Sequence, residues 1–490
     1  FMKNLLKNLC FLGAAFSLAA CSVDSQVSKT PAKFWKAPSD ALPETYYRPA
    51  QIKTGEIEEN QSQALCAAEK LLAGRTLNLA DLVDIALENN TSTRQYWFSA
   101  KVYAAQKGKV DSQYYPSISV GAKVYRQKTR QVSPFSYAVG TFWDTGYGAS
   151  LDINWLLFDF GKRESQSAAA REALRAANFD YNQSLQDMVL SVYEAYFNYC
   201  DAVASAETAK ANLEDAQSAY KEADARFKNS VGNKQDALRA LANAKNAEAE
   251  LERANAGIES ARASLAKVLG IEVSPSLNIS TDMQIPESKE AQTRIDDLIA
   301  GALKSRQDVL ASYANYAYAR KTELAGKLDY LPKIGAQGSF EWGDFANDRY
   351  YGTPSNNYAV AAVLTWEIFD GFSRRYELIS AQAKARAAAQ SLKQTQIEVV
   401  AGVWSNYYSY KGALKQLESA NAAVEASQEA YEATKTAYEN GVSTLTDLLN
   451  SQSLLSQSRR QRVNARSFAA ASVARLAHAT GALTANIEEE

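Results

Sequence analysis

"PSISVGAKVY", Pro116 to Tyr125, alternates strictly: Ile118, Val120, Ala122 and Val124 fall on one face, Ser117, Ser119, Gly121 and Lys123 on the other. A period of two with one oily side is the signature of a strand. "YGASLDINW" does the same, with Tyr147, Ala149, Leu151, Ile153 and Trp155 opposing Gly148, Ser150, Asp152 and Asn154. Further on, "KIGAQGSFEW" sets Ile334, Ala336, Phe340 and Trp342 against Lys333, Gln337, Ser339 and Glu341, and "NYAVAAVLTW" (Asn357 to Trp366) alternates less cleanly. The spacing predicts strands over about 116–128, 145–157, 332–343 and 356–368. Runs of about nine to ten residues with aromatic ends suit tilted strands crossing a bilayer. A soluble sheet with one wet face shares the pattern. The polar, aromatic-rich segments Arg126–Gly146 and Gly343–Asn356 read as loops facing out of the cell.

Four strands cannot enclose a pore, and open sheet edges in hydrocarbon leave N–H and C=O groups unpaired at several kcal/mol each. Other copies must therefore supply the rest. Two, three or four protomers give eight, twelve or sixteen strands, and the residues alone do not choose.

After each strand pair the period changes. Leu185, Met188, Val192, Ala195, Tyr199, Ala202, Ala206, Ala209, Leu213, Ala216, Tyr220, Ala223 and Phe227 keep an unbroken 3-4 spacing, a heptad seam rich in Ala that lets helices approach closely. The pattern predicts long helices over about 161–229 and 234–270, and again over 372–440 and 444–481. The first would rise roughly 100 Å. A coiled-coil spacer would carry the same seam.

A shift of 211 positions places Trp155 on Trp366, Phe158 on Phe369, Tyr220 on Tyr431, Asp236 on Asp447 and Gly270 on Gly481. The chain is internally duplicated, with halves at 77–280 and 281–481 and a tail at 482–490. Each helix pair turns at related sequences, "FKNSVGNKQDALR" from Phe227 and "YENGVSTLTDLLN" from Tyr438. Gly441 suits a left-handed helix end, and Thr444 with Asp447 forms a capping pattern. In the first copy Asn233 and Asp236 stand at the capping places and Ser230 replaces the glycine, so the strain is expected to pass to Gly232. Asp447 reads either as a helix cap or, in an assembly of several copies, as one member of an acidic ring around the pore.

Met2, Lys3 and Lys7 precede an apolar run, Leu9 to Ala20, laid out as an export signal over 1–20. "LAAC" at Leu18 to Cys21 resembles a lipoprotein box, making Cys21 the expected lipid attachment site; a plain signal cut near Ala20 is the alternative. The segment 21–76, with Pro31, Pro38, Pro43 and Pro49, reads as a strap leaving the anchor. Cys66 and Cys200 could pair, though isolated thiols more often stay free.

At 490 residues with a net charge of −2, the chain offers no electrostatic case for nucleic acid. His478 is its one histidine, so no convincing metal centre or nucleophile–His pair assembles, and neither an enzyme nor a cofactor is expected.

From about Leu77 to Gly481 the chain resembles the TolC family of outer-membrane efflux proteins, particularly its lipid-anchored branch. The resemblance rests on the duplicated unit of two strands, long helix, turn and helix, on "YYPSIS" echoed by "YLPKIG", on "WLLFDFG" and "WEIFDGF", and on "YENGVSTLTDLLN". It implies a mainly α fold with a membrane β-barrel: a homotrimer with twelve strands in the outer membrane, continued by a periplasmic α-helical barrel. It also implies a passive exit duct for cargo delivered by an inner-membrane pump and a periplasmic adaptor. At the gate, Asp447 matches the family's first acidic position, while Asn450 and Ser443 stand where a second acidic and a basic residue are usual, and Tyr438 with Asp236 carries over a contact between helix pairs. The turns holding Val231, Gly232, Gly441 and Val442 would dock the adaptor. A type I protein secretion duct is the alternative within this class, and a non-conducting coiled-coil lipoprotein the alternative outside it. Ser22, with no Asp after the Cys, resembles lipoproteins sorted to the outer membrane.

Overall fold

The computed structural model describes residues 76–132, 139–273, 278–281, 293–345 and 355–484. The export signal, Cys21, Cys66, the strap through residue 75 and most of the tail lie outside the described residues. In the first half, helices α1 (Leu79–Asn89) and α2 (Thr91–Asp111) precede strands β1 (Ser117–Val132) and β2 (Val139–Phe158), followed by helices α3 (Lys162–Lys228) and α4 (Lys234–Leu269). The second half repeats this order as α5 (Ile295–Ser305), α6 (Gln307–Leu328), β3 (Lys333–Phe345), β4 (Ser355–Thr365), α7 (Ser373–Glu439) and α8 (Leu445–Thr480). Both long helices have 67 residues and both return helices 36. Among the described residues no helix is long and apolar enough to cross a membrane.

The short helices α1, α2, α5 and α6 were not expected. Leu79 and Ile295 are 216 positions apart, whereas Lys162 and Ser373 are 211 apart, so the second hairpin is five residues shorter and the duplication loses register upstream of it. Locally α1 is well specified: Asn78 and Asp81 form a reciprocal capping box, and Leu82, Val83, Ala86 and Leu87 share the buried face.

The chain divides into two compact units. The first, Lys101–Ala176 with Ser312–Leu392 among the described residues, carries an antiparallel sheet in the order β1-β2-β3-β4. Its register lines up Val120, Leu151, Phe340 and Tyr358 in one row, and Ile118, Ile153, Gly338 and Val360 in the next. On the opposite face run Ser119, Asp152, Ser339 and Ala359, then Gly121, Ser150, Glu341 and Asn357. One face is apolar and exposed, with Val120 at 72% and Val360 at 90%. The other is polar, and Lys123 reaches across it to pair with Glu341. Strand β4 read poorly because its polar-side positions hold Ala359, Ala361 and Val363.

The strands also depart from their expected bounds. Strands β1 and β2 run through most of the stretch assigned to a loop, pairing as far as Val132 with Val139, and β4 stops at Thr365, short of Trp366–Ile368. Apolar alternation marks only where a sheet meets an oily environment; the backbone ladder continues beyond it wherever the N–H and C=O groups find partners.

A duplicated elbow links strand to helix. Phe160 and Gly161 have φ of 55° and 91°, Gly371 and Phe372 of 67° and 71°. A Phe in this left-handed region costs about 1–2 kcal/mol, so the surroundings must hold it there. Asp159 accepts the Arg163 backbone N–H at 2.8 Å, as Asp370 does that of Arg374. The two guanidinium groups lie 5.0 and 5.3 Å from the Tyr114 and Tyr330 rings. Trp155 and Trp366 donate their indole N–H to the carbonyls of those tyrosines at 2.9 and 3.1 Å.

The second unit, Ala177–Ala311 and Lys393–Glu490 with the segment before Lys101, is helical among its described residues. The seam is buried as its spacing implied at Leu185, Met188, Val192, Tyr199, Ala206, Ala209, Ala216 and Ala223, whereas its last position, Phe227, is exposed at the helix end. One core gathers Leu298, Val309, Val399, Val403, Tyr407 and Leu476; another gathers Ala223, Ala240, Tyr431, Tyr438, Leu448 and Leu455. Cys200 is buried as a free thiol.

Candidate functional site

The second core lies beneath the two helix turns. In the turn between α7 and α8, Val442 N–H bonds to Ala437 O at 2.8 Å and Gly441 N–H to Tyr438 O at 2.9 Å. That is a Schellman end, and its left-handed residue is Gly441 with φ 74°. In the turn between α3 and α4, Val231 N–H bonds to Arg226 O at 2.9 Å, and the left-handed residue is Ser230 with φ 62°. The expectation that strain passes to Gly232 is corrected: Ser230 bears it. Gly232 is required for a different reason, since a Cβ there would stand 3.0 Å from the Arg226 Cβ.

Both return helices are capped. Asn233 accepts Asp236 N–H at 2.7 Å. At Thr444 the box is reciprocal: Asp447 N–H donates to the Thr444 hydroxyl at 3.2 Å, and the Asp447 carboxylate accepts Thr444 N–H at 3.1 Å. It also accepts the Thr444 and Ser443 hydroxyls at 2.6 and 3.3 Å. These donors, Thr444's hydroxyl first, hold Asp447 below the usual carboxylate range. Within one chain Asp447 is thus a cap. Asn450 is exposed one turn further on, and Val231 and Val442 stand out at 79% and 84% exposure.

Tyr438 is buried, and among the described residues no hydrogen bond joins it to Asp236, whose charge nevertheless lies near enough to help burial raise the Tyr438 pKa. Its partner is Arg226. The guanidinium lies 4.5 Å from the ring centroid, donates to the carbonyls of Tyr438 and Glu439 at 2.6 and 2.9 Å, and pairs with Glu222 at 3.1 Å. It therefore ties the end of α3 to the last carbonyls of α7, where a cation also meets the negative helix terminus. Burial raises the Tyr438 pKa and Arg226 opposes the rise. Deeper in the unit, Arg459 of α8 donates to Asn212 and Asp215 on α3, each at 3.1 Å, and to Gln428 on α7 at 2.9 Å. Buried Tyr431, beside Asp215, is pushed up to about 12.

Ser443 stands where the family resemblance implies a basic residue, and the cation at these turns that contacts Tyr438 is Arg226, on the other helix pair. The signal was present in the repeat: at the 211-position offset Arg226 faces Ala437, so a charge stands in one tip where the other has a methyl group. No group of three or more His, Cys, Asp or Glu able to hold a metal ion occurs among the described residues.

Residues 82–271 and 298–482 match the outer membrane efflux protein family. The chain is 26% identical to Protein CyaE of Bordetella pertussis over 377 residues, 77% of this chain and 78% of that protein. It resembles the Campylobacter jejuni CmeC outer membrane channel with a TM-score of 0.73 at 19% identity, over 92% of this chain and 97% of that one. The outer membrane protein VceC of Vibrio cholerae gives a TM-score of 0.72 at 20% identity, over 82% and 96%.

Proposed function

The chain belongs to the outer membrane efflux protein family and is an outer-membrane efflux channel; we propose that it works as a lipid-anchored trimer, a passive exit duct loaded from the periplasmic side. The observation that carries the proposal is the sheet. Its order leaves β1 and β4 as open edges, while one face is apolar and the other polar. In lipid each open edge needs a partner, and joining β1 of one copy to β4 of the next turns the polar faces inward around water. Three copies, the number usual for the family, give twelve strands.

At the other functional element, the helix tips, three copies would bring three Asp447 carboxylates near a common axis, with the Arg226–Tyr438 clamp holding each pair of turns closed. The protruding Val231 and Val442 are the apolar contacts offered to a periplasmic adaptor, which would couple the duct to an inner-membrane pump. Cys21 would carry the lipid. Single-channel recording of the purified protein in planar bilayers tests this reading: it requires discrete conductance steps, and a protein that inserts without passing ions would support the non-conducting alternative.

A further inference from the structure

The apolar face of the β1–β2 hairpin does not end in neutral residues. Following the alternation upward from Ile118, Val120, Ala122 and Val124, the same face of β1 presents Arg126, Lys128 and Arg130, all exposed. Directly opposite on β2 stand Thr145, Trp143 and Thr141. The Trp143 ring contacts the first two cations, its centroid 5.2 Å from the Arg126 guanidinium and 5.5 Å from the Lys128 ammonium, and is itself 53% exposed. Among the described residues no carboxylate pairs with any of the three. Three like charges along one strand repel, and among the described residues no negative group offsets that repulsion, so an anionic group outside the chain would be attracted to the patch.

We propose that this patch binds a phosphate-bearing lipid headgroup in the outer leaflet. The inference rests on the channel reading above, with the Val132 end of β1 and the Val139 end of β2 turned out of the cell. Side chains stand perpendicular to a sheet, so pairing the β1 edge with another copy leaves the patch facing the surrounding lipid. Its height decides the occupant: it begins where the apolar residues stop, at headgroup level, on the face that meets acyl chains and not on the face that meets the lumen. From Arg126 to Arg130 the strand rises about 14 Å, enough to span a headgroup carrying two phosphates. Arg supplies forked donors to phosphate oxygens, Lys a point charge, and the Thr141 and Thr145 hydroxyls further donors. Trp143 fixes the two nearer cations by cation–π attraction and offers an amphipathic ring to the interface.

The test measures lipid retained by the purified full-length protein in nonionic detergent, counted by native mass spectrometry. The probes are bis-phosphorylated lipid A and the same lipid with both phosphates removed, with inorganic phosphate as competitor. Retention of the phosphorylated lipid should exceed that of the dephosphorylated lipid by about tenfold and fall as salt is raised. Millimolar inorganic phosphate should not displace it, and Arg126→Gln/Lys128→Gln/Arg130→Gln should lose about the same factor. Equal retention of the dephosphorylated lipid overturns the inference, as does displacement by free phosphate, which would make the patch a general anion site. The comparison of the two lipids needs no variant, so it stands even if the triple variant fails to assemble. Conductance of the same preparation separates the two readings: a conducting protein indifferent to lipid phosphates sinks this inference alone, and one that binds the lipid yet passes no ions sinks the channel alone.

Discussion

Arg226, at the end of one long helix, holds its guanidinium 4.5 Å from the Tyr438 ring and donates to the Tyr438 carbonyl at 2.6 Å, joining the tips of the two halves. Charge-assisted bonds to helix-end carbonyls and a cation–π contact at a half-buried site together stabilise this arrangement of the two turns by about 1–3 kcal/mol, which on the proposed reading is the resting tip. Arg226→Ala should therefore raise resting conductance in planar bilayers about tenfold, and Arg226→Lys, which keeps the charge without the fork, should fall between. Unchanged conductance in Arg226→Ala would remove the clamp from the gate.

The turn itself gives a second lever on the same clamp. Ala at Gly232 brings its Cβ against the Arg226 Cβ at 3.0 Å, so Gly232→Ala should open the tip in the same direction as Arg226→Ala, but less. Ser230→Gly should do the opposite: it relieves a left-handed serine, stabilising the turn by about 1 kcal/mol and slowing amide exchange from Phe227 to Asn233. Faster exchange in Ser230→Gly would contradict the assignment of strain to Ser230.

Asp447 is held below its ordinary pKa by the Thr444 hydroxyl and backbone N–H. A depressed carboxylate contributes stability that is present above its unfolded pKa, near 4, and lost as pH falls through the folded value. Amide protection at Asp447, corrected for intrinsic exchange, should hold from neutral pH to about 4 and decline below it. Asp447→Asn should abolish that decline. Should the acidic ring exist, Asp447→Ala will also enlarge resting conductance and weaken block by divalent cations.

The two faces of β1 should respond oppositely to one new charge. Val120→Arg puts a cation on the apolar face at a cost of about 2–4 kcal/mol at mid-bilayer, and should reduce assembly in the membrane fraction. Ser119→Arg, its neighbour on the polar face, should assemble normally and shift ion selectivity toward anions. Equal tolerance of both would deny that the sheet lies in lipid.

Much of this architecture is written in periodicities that survive translation into three dimensions. The seam from Leu185 to Ala223 and the alternation from Ile118 to Val124 needed nothing beyond the spacing of apolar residues, because each records a face that must leave water. Other features depend on partners remote in sequence. Helices α1 and α2 went unread because the two hairpins differ in length and throw their repeat out of step with the rest. The upper parts of β1 and β2 went unread because ladder bonds have no hydropathy. Arg226 went unread because its partners, the last carbonyls of α7, are backbone atoms 212 and 213 positions away. Ser230 shows the limit of residue preference: the six-residue Schellman closure fixed the backbone there, and the serine followed.

The mass of the intact particle, measured by native mass spectrometry after gentle detergent extraction, bears most directly on the claim that the open edges of β1 and β4 are joined by further copies. Three chains per particle, stable on dilution, is the expected result. A folded particle of one chain, released from the membrane with its sheet intact, would contradict it.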